Sequence, residues 1–182
     1  MPSWVNPPNL LTLLRLVLIP FIVQAILAGW YQFALAIFAL AAATDVLDGA
    51  AARYLSHTTQ VGAYFDPIAD KCLLSSVFLA LAAAQIVPWW VAAVVLGRDL
   101  YILLGALAVR ISSGVKQFPP SLWGKASTFV QILTVGVWMA RDAFPNPAFD
   151  AAALALIWPC VVFTVWSGLH YTWRGVQFAR TH

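Results

Sequence analysis

Six long apolar runs dominate this chain of 182 residues and restrict the folds open to it. The runs cover residues 10–28, 31–52, 68–87, 88–109, 122–140 and 151–173. Each approaches the roughly 20 residues that an α-helix needs to cross the hydrocarbon core of a bilayer. Hydrophobic residues make up 62% of the chain and charged residues only 9%, a balance typical of membrane proteins. We therefore expect an all-α integral membrane protein with six transmembrane helices in a single domain over residues 1–182, with residues 1–8 lying along the interface.

The distribution of basic residues predicts the orientation of these helices. An even number of spans places both termini on one side of the membrane, and cytoplasmic loops carry the excess of Lys and Arg. The side with the termini holds six basic residues: Arg53, Arg110, Lys116, Lys125, Arg174 and Arg180. The other side holds Arg141. The sequence therefore predicts cytoplasmic termini, and we expect the protein in the inner, cytoplasmic membrane of a bacterium.

The remaining composition argues against two other classes of site. The net charge is a modest +3, and no basic run with interleaved aromatic residues is present, so we expect headgroup contacts and no nucleic-acid partner. Cys72 and Cys160 both lie in apolar runs, where a thiol behaves as a small hydrophobic group. We predict packing roles for both cysteines.

Four carboxylates are concentrated between residues 45 and 70 of a chain otherwise poor in charge. The pattern reads Asp45-x-x-Asp48-Gly49-x-x-Ala52-Arg53, then eight residues, then Gly62-x-x-x-Asp66-x-x-x-Asp70. Helical offsets of three, four and seven in the first half, and of four and eight in the second, place each half on one helix face. We expect these two helices to be antiparallel neighbours whose carboxylates face each other. Such an oxygen-rich site suits two divalent cations, Mg²⁺ or Mn²⁺.

The small residues and the arginine of this pattern suggest a bound phosphate compound. Gly49, Ala52 and Gly62 leave space in which a substrate can approach the backbone closely. Arg53 would supply a guanidinium, which pairs well with phosphate oxygens. An ion pathway or ion-coupled transporter also places carboxylates in a membrane, and a structural metal site is a further alternative. Neither of these needs the small residues together with Arg53.

The complete pattern resembles the signature of the CDP-alcohol phosphatidyltransferases, integral membrane enzymes of phospholipid synthesis. The segment Asn9-Leu-Leu-Thr12-Leu-Leu-Arg15 is similar to the first helix of that family, and weaker similarity reaches the C-terminal tail. The resemblance implies six helices around a polar cavity open to the cytoplasm. It also implies that CDP-diacylglycerol is bound through two divalent metals, and that the protein forms a homodimer.

The resemblance also implies a role for each residue of the pattern. It assigns metal binding to Asp45, Asp48, Asp66 and Asp70, with Asp70 also acting as general base on the acceptor hydroxyl. It assigns CDP-diacylglycerol binding to Asp48, Gly49, Ala52, Arg53, Gly62, Asn9 and Thr12. Transfer of the phosphatidyl group to an alcohol would release CMP.

The acceptor alcohol has to be inferred from other charges, and we expect Arg15, Arg98, Arg110 and Lys125 to bind it. Arg98 and Asp99 lie in the middle of an apolar run, where charges are costly unless they face a polar cavity. The glycerophosphate-using branch of the family tends to have Arg-Glu at 98–99 and a second Lys at Ser127. This chain is more similar to the eukaryotic-type cardiolipin synthases, whose acceptor is phosphatidylglycerol.

We therefore predict phosphatidylglycerol as acceptor, with glycerol 3-phosphate as the alternative. A transporter, or a scaffold that kept the fold without the activity, is the alternative from another class; the intact set of four Asp argues against the scaffold. His57 and His170 receive no role.

Overall fold

The computed structural model describes residues 7–55, 60–113 and 122–181, with side chains described over 12–44, 69–105, 122–175 and at 177. Within these ranges the chain forms six α-helices and no strand. The helices are α1 (Pro7–Leu27), α2 (Tyr31–Leu55), α3 (Gln60–Ala83), α4 (Trp89–Ser113), α5 (Leu122–Ala143) and α6 (Pro147–Thr181). The predicted all-α fold with six helices is confirmed.

The helices that carry the Asp pattern are longer than the apolar runs suggested. α2 continues to Leu55 and α3 begins at Gln60, so only residues 56–59 separate them. Of the eight residues between Arg53 and Gly62, two therefore belong to α2 and two to α3. Helical hydrogen bonds depend on the backbone, so a helix can continue through polar positions at which an apolar run ends. Of the predicted interfacial segment 1–8, Pro7 and Pro8 belong to α1, and residues 1–6 lie outside the described part.

Local sequence explains where two of the helices end or begin. Gly29 follows α1 with a φ of 78°, Trp30 N–H donates to Ala25 C=O at 2.8 Å, and Gly29 N–H donates to Ile26 C=O at 3.1 Å. This is a Schellman motif, in which glycine adopts the left-handed conformation at little steric cost. Before α6, Asn146 Oδ1 accepts a hydrogen bond from Ala148 N–H at 2.9 Å, and Pro147 opens the helix.

The six helices pack into a bundle in which α1 contacts both α2 and α3. α5 packs against α6 and α2, and α4 packs against α6 and α3. The core is apolar, and the largest fully buried side chains include Phe78, Ile22, Leu81 and Met139. This arrangement brings α3, α4, α5 and α6 together around one space, which forms part of the candidate site.

The outside of the bundle is also strongly apolar. Large exposed hydrophobic side chains occur on all six helices, for example Phe21, Phe33, Leu79, Leu103, Phe129 and Trp158. Apolar exposure on this scale is expected where lipid, and not water, is the solvent. By length and composition, one described segment, Pro147–Gly175, could cross a membrane, while Thr12–Leu27 and Tyr31–Thr44 are shorter apolar helices. Six membrane crossings therefore remain a prediction.

Candidate active site

The backbone places the four Asp of the pattern on two helices that are joined by a short connection. Asp45 and Asp48 lie in α2, and Asp66 and Asp70 lie in α3. Of these four side chains, that of Asp70 is described. The side chains at 45, 48, 52, 53 and 66, together with Gly49 and Gly62, fall outside the described side chains, so their predicted ligand and nucleotide contacts stay predictions.

A small cavity of about 40 Å³ shows how the two halves of the pattern are related in space. Asp70 of α3 borders it together with Ala41 and Ala42 of α2. Asp45 lies three residues after Ala42, about 4.5 Å along the helix axis, and Asp66 lies about 6 Å from Asp70. Asp45 and Asp66, the nearest remaining carboxylate of each half, therefore lie about one helical turn from residues that border the cavity. Four carboxylates carried by these two helices are a donor set that fits hard divalent cations.

Arg15 is the direct partner of Asp70. Its Nη1 donates a hydrogen bond to Asp70 Oδ1, and the arginine side chain is 2% exposed while that of Asp70 is 35% exposed. A buried guanidinium is strongly destabilising without a paired anion, so this contact holds both groups in place. Thr12, one turn earlier on α1, is also buried. The structure thus places Arg15, which was predicted to bind the acceptor, beside the predicted general base.

A larger cavity of about 430 Å³ lies where α3, α4, α5 and α6 meet. Three cationic side chains border it, those of Lys71, Arg98 and Lys125. Polar side chains Thr128, Ser167 and Tyr171 and apolar side chains Ile102, Phe129 and Ile132 also line it. The structure therefore brings together two of the predicted acceptor residues, Arg98 and Lys125. Arg110 lies in α4, but its side chain is outside those described.

The polar contacts of this cavity leave a surplus of positive charge. Asp99 Oδ1 lies 2.6 Å from Arg98 Nη1 and 3.3 Å from Lys71 Nζ. Arg98 Nη2 also donates a hydrogen bond to Ser167 Oγ. Arg98 and Lys71 share the single negative charge of Asp99, and Lys125 adds a third positive charge. The three cations and one carboxylate therefore leave a net charge of two positive units. Such a cavity favours an anionic ligand such as a phosphate group.

The two cavities adjoin each other. Thr128 and Ile132 of α5 line both of them. In addition, Lys71 of the larger cavity directly follows Asp70 of the smaller one. The cations of the larger cavity and the carboxylate of Asp70 therefore border cavities that share a wall.

Two residues of this site were missed by the sequence-based reasoning. Lys71 is one of three lysines in the chain, lies in an apolar run and follows Asp70, so its charge was a signal that could have found it. Ser167 gave no comparable signal, because only the packing of α6 against α4 brings it to Arg98.

Ser127, expected to help distinguish the acceptor, has a structural position. It is 1% exposed, and Gln131 Nε2 donates hydrogen bonds to Ser127 Oγ at 3.3 Å and to Thr164 Oγ1 at 2.9 Å. The bond to Thr164 joins α5 to α6, and the bond to Ser127 lies within α5. Ser127 is absent from the described lining of either cavity.

A helical bundle whose carboxylate-bearing helices adjoin a cationic cavity has the components of a phosphoryl-transfer site, namely anion-binding groups beside a proton acceptor. Comparison with known proteins agrees: the sequence profile of the CDP-alcohol phosphatidyltransferases matches residues 5–166. The chain belongs to this family.

Individual relatives cover most of the chain. It is 37% identical over 178 residues to a probable phosphatidylglycerophosphate synthase of Mycobacterium tuberculosis, covering 94% of this chain and 82% of the relative. It is 36% identical over 174 residues to the CDP-diacylglycerol–glycerol-3-phosphate 3-phosphatidyltransferase of Escherichia coli K12, covering 91% and 92%. It is 31% identical over 198 residues to the CMP-forming cardiolipin synthase of Rattus norvegicus, covering 96% and 65%.

These similarities establish an enzyme of phospholipid biosynthesis that transfers a phosphatidyl group to an alcohol. The ion-coupled transporter considered from the carboxylates alone has no support. The relatives are named for two different acceptors, so the acceptor of this enzyme has to be inferred from the site.

Proposed function

We propose that this enzyme transfers the phosphatidyl group of CDP-diacylglycerol to phosphatidylglycerol, forming cardiolipin and CMP. The observation that carries the proposal is the common wall between the cavity of Asp70 and the cavity of Lys71, Arg98 and Lys125. The first supplies a proton acceptor and the second an anion site. An acceptor whose phosphate is held by the cations can thus present a hydroxyl to Asp70.

The four Asp positions would hold two divalent cations, Mg²⁺ or Mn²⁺, as the family resemblance implies. Asp45, Asp48, Asp66 and Asp70 are the residues we assign to them. When bound, such ions neutralise the negative charge of a diphosphate. Gly49, Ala52, Gly62 and Arg53 would contact the CDP portion, together with Asp48, Asn9 and Thr12.

In the proposed reaction Asp70 takes the proton of the acceptor hydroxyl. The hydroxyl oxygen forms a bond to the phosphorus that carries the diacylglycerol, and the bond from that phosphorus to the bridging oxygen of the diphosphate breaks. CMP leaves with that oxygen and the electron pair of the broken bond. Arg15, which donates a hydrogen bond to Asp70, orients the carboxylate for this step.

The walls of the larger cavity support an amphiphilic acceptor. Ile102, Phe129 and Ile132 line the cavity together with its polar groups, so the cavity offers apolar contacts in addition to the phosphate site. Ser127 replaces the second Lys of the glycerophosphate-using branch with a neutral side chain, which is buried between α5 and α6. Arg110 lies twelve residues, about 18 Å, along α4 from Arg98 and would contact a different part of a substrate.

Glycerol 3-phosphate is the second candidate acceptor, and two observations favour it. The cavity carries a surplus of two positive charges, which suits a phosphate monoester, and the relatives from M. tuberculosis and E. coli are named for glycerophosphate chemistry. A soluble monoester would not need the apolar walls.

The proposed setting of the enzyme is a bacterial membrane. We propose a single domain with six membrane crossings, cytoplasmic termini and an active site open to the cytoplasm of a bacterium, in a homodimer. The apolar exterior of the bundle and the names of the relatives support the membrane location.

In the test, purified enzyme in detergent micelles is incubated with CDP-diacylglycerol, Mg²⁺ or Mn²⁺, and one of the two acceptors at a time. CMP and the lipid products are then quantified. We expect cardiolipin from phosphatidylglycerol. Phosphatidylglycerophosphate from glycerol 3-phosphate, without cardiolipin, would establish the second candidate. Asp142→Asn is the matched control for loss of a carboxylate, because Asp142 pairs with Arg141 near the opposite end of α5.

A further inference from the structure

An apolar groove of about 330 Å³ lies between α4 and α6 on the outside of the bundle. Along α4 it runs from Ala93 to Tyr101, which is eight residues or about 12 Å. One leaflet of a hydrocarbon core of roughly 30 Å has a comparable depth. The dimensions therefore suit a single lipid chain.

The groove and the cationic cavity meet at one side chain. Among the described residues, Arg98 is the one that lines both. The stem of Arg98 passes close to α6 at Gly168, where a Cβ would lie at ordinary van der Waals distance, 3.6 Å, from Arg98 Cγ. The guanidinium reaches Ser167 and Asp99. An amphiphile could thus bind with its phosphate at the guanidinium and its hydrocarbon in the groove.

Arg98 has an unused hydrogen-bond donor at this junction. Its side chain is 10% exposed, and its Nε has no acceptor among the described groups although the atom is buried. A buried donor without an acceptor is costly, so a site of this kind favours a ligand that brings oxygen atoms. A phosphodiester supplies both the acceptor oxygens and the negative charge.

One end of the groove is closed by a polar contact. Tyr101 Oη and Thr172 Oγ1 are 2.7 Å apart and join α4 to α6. Arg98 lies about one turn of α4 from Tyr101. A lipid chain that starts at Arg98 therefore has most of the groove in the direction away from Tyr101, past Gly97 toward Ala93. Arg98 lies near the middle of the apolar run 88–109, so in the proposed orientation this direction leads from the middle of the membrane span toward its non-cytoplasmic end.

We infer that the groove between α4 and α6 binds an acyl chain of the acceptor lipid, with the phosphodiester of that lipid at Arg98. This inference rests on the proposed function. It adds to that function the part of the enzyme that distinguishes a lipid acceptor from a soluble one. The acceptor approaches laterally from the membrane, and its headgroup passes Arg98 into the cavity beside Asp70.

Gly97→Leu tests the groove with little disturbance of the fold. A Cβ at Gly97 meets no atom within 4 Å, so the new side chain would occupy the groove and not the core. Gly136→Leu on α5 is the matched control, because the same free space surrounds its Cβ and it lines no described cavity that we assign to a substrate.

The first readout is the ratio of kcat/KM for phosphatidylglycerol to that for its deacylated form, glycerophosphoglycerol. We expect Gly97→Leu to lower this ratio about tenfold, because excluding even two methylene groups from an apolar site costs about that factor. Gly136→Leu should keep the ratio of the unsubstituted enzyme. An unchanged ratio in Gly97→Leu would overturn the inference.

The second readout does not need turnover. Phosphatidylglycerol with a photoreactive diazirine in one acyl chain is irradiated with the enzyme, and labelled peptides are mapped by mass spectrometry. We expect labelling at 93–101 and 164–172 that unlabelled phosphatidylglycerol displaces and phosphatidylcholine does not, and that Gly97→Leu removes. Displaceable labelling without cardiolipin formation would contradict the proposed acceptor but keep the groove, whereas cardiolipin formation without such labelling would contradict the groove alone.

Discussion

Lys71 Nζ lies 3.3 Å from Asp99 Oδ1, and this ion pair links α3 to α4 at the edge of the cationic cavity. Lys71 directly follows the proposed general base, and Asp99 also binds Arg98 at 2.6 Å. The contact therefore connects the helix of the proposed general base to the proposed acceptor site. Because Lys71 is 44% exposed, the pair itself contributes little to stability, and we assign its importance to binding an anionic acceptor.

Lys71→Gln should weaken acceptor binding. Loss of a charged hydrogen-bond donor to a phosphate raises the KM for the acceptor by about tenfold, with a smaller change in the KM for CDP-diacylglycerol. Steady-state kinetics with one substrate varied at a time measures both constants. Lys71→Arg keeps the charge and should retain most of the affinity. Arg141→Gln, about 24 Å along α5 from Lys125, is the control away from the site. An acceptor KM unchanged by Lys71→Gln would show that Lys71 does not face the acceptor.

Asp70→Asn should abolish turnover while CDP-diacylglycerol binding stays largely intact. An amide cannot accept the proton, and loss of a general base costs about 10² to 10⁴ in rate. CMP release measures turnover, and binding of CDP-diacylglycerol to the same preparation measures affinity. Equal losses in both would show that Asp70 acts mainly in binding the donor.

Asp45→Asn should weaken both donor binding and turnover by disturbing the divalent cations. Activity of the unsubstituted enzyme should disappear with EDTA and return with Mg²⁺ or Mn²⁺. In Asp45→Asn we expect the concentration of cation needed for half-maximal activity to rise, because one carboxylate ligand is lost. Asp142→Asn should respond to cations as the unsubstituted enzyme does. A normal metal affinity in Asp45→Asn would refute the ligand assignment.

Arg15→Gln tests whether the partner of Asp70 orients it. We expect kcat to fall by about 10- to 100-fold, as found when groups that orient functional carboxylates are removed, with a small change in the KM for the acceptor. Arg15→Lys keeps a positive charge and should restore part of the rate. If the acceptor KM rises and kcat does not change, Arg15 binds the acceptor directly, as its sequence position first suggested.

Gly29→Ala should destabilise the folded protein through the end of α1. Its φ of 78° costs an L-residue with a side chain about 1 kcal/mol. Gly136→Ala should instead stabilise the folded protein, because alanine is favoured over glycine inside a helix and the site has free space. Thermal unfolding of both variants in the same detergent should give a lower Tm for Gly29→Ala alone. Equal Tm values would mean that the left-handed residue does not limit stability.

The sequence by itself determined the six helices and the location of the carboxylates. Long apolar runs indicate helices directly, because a helix surrounded by lipid and by other helices needs apolar side chains along its whole length. The spacing of Asp45, Asp48, Asp66 and Asp70 matches the helical period. Sequence also set the local ends, such as Gly29. It was less reliable about helix length, since the polar segments beside the pattern continue as helix.

Only the tertiary structure decided which residues from distant segments share a cavity. Arg98 and Ser167 are 69 positions apart and meet because α4 packs on α6, and Arg15 meets Asp70 because α1 packs on α3. No periodicity within one helix encodes which helix faces which, because that choice depends on the packing of all six apolar surfaces together. For the same reason Arg15 was expected at the acceptor and lies at Asp70, while Lys71 lines the cationic cavity that we propose for the acceptor.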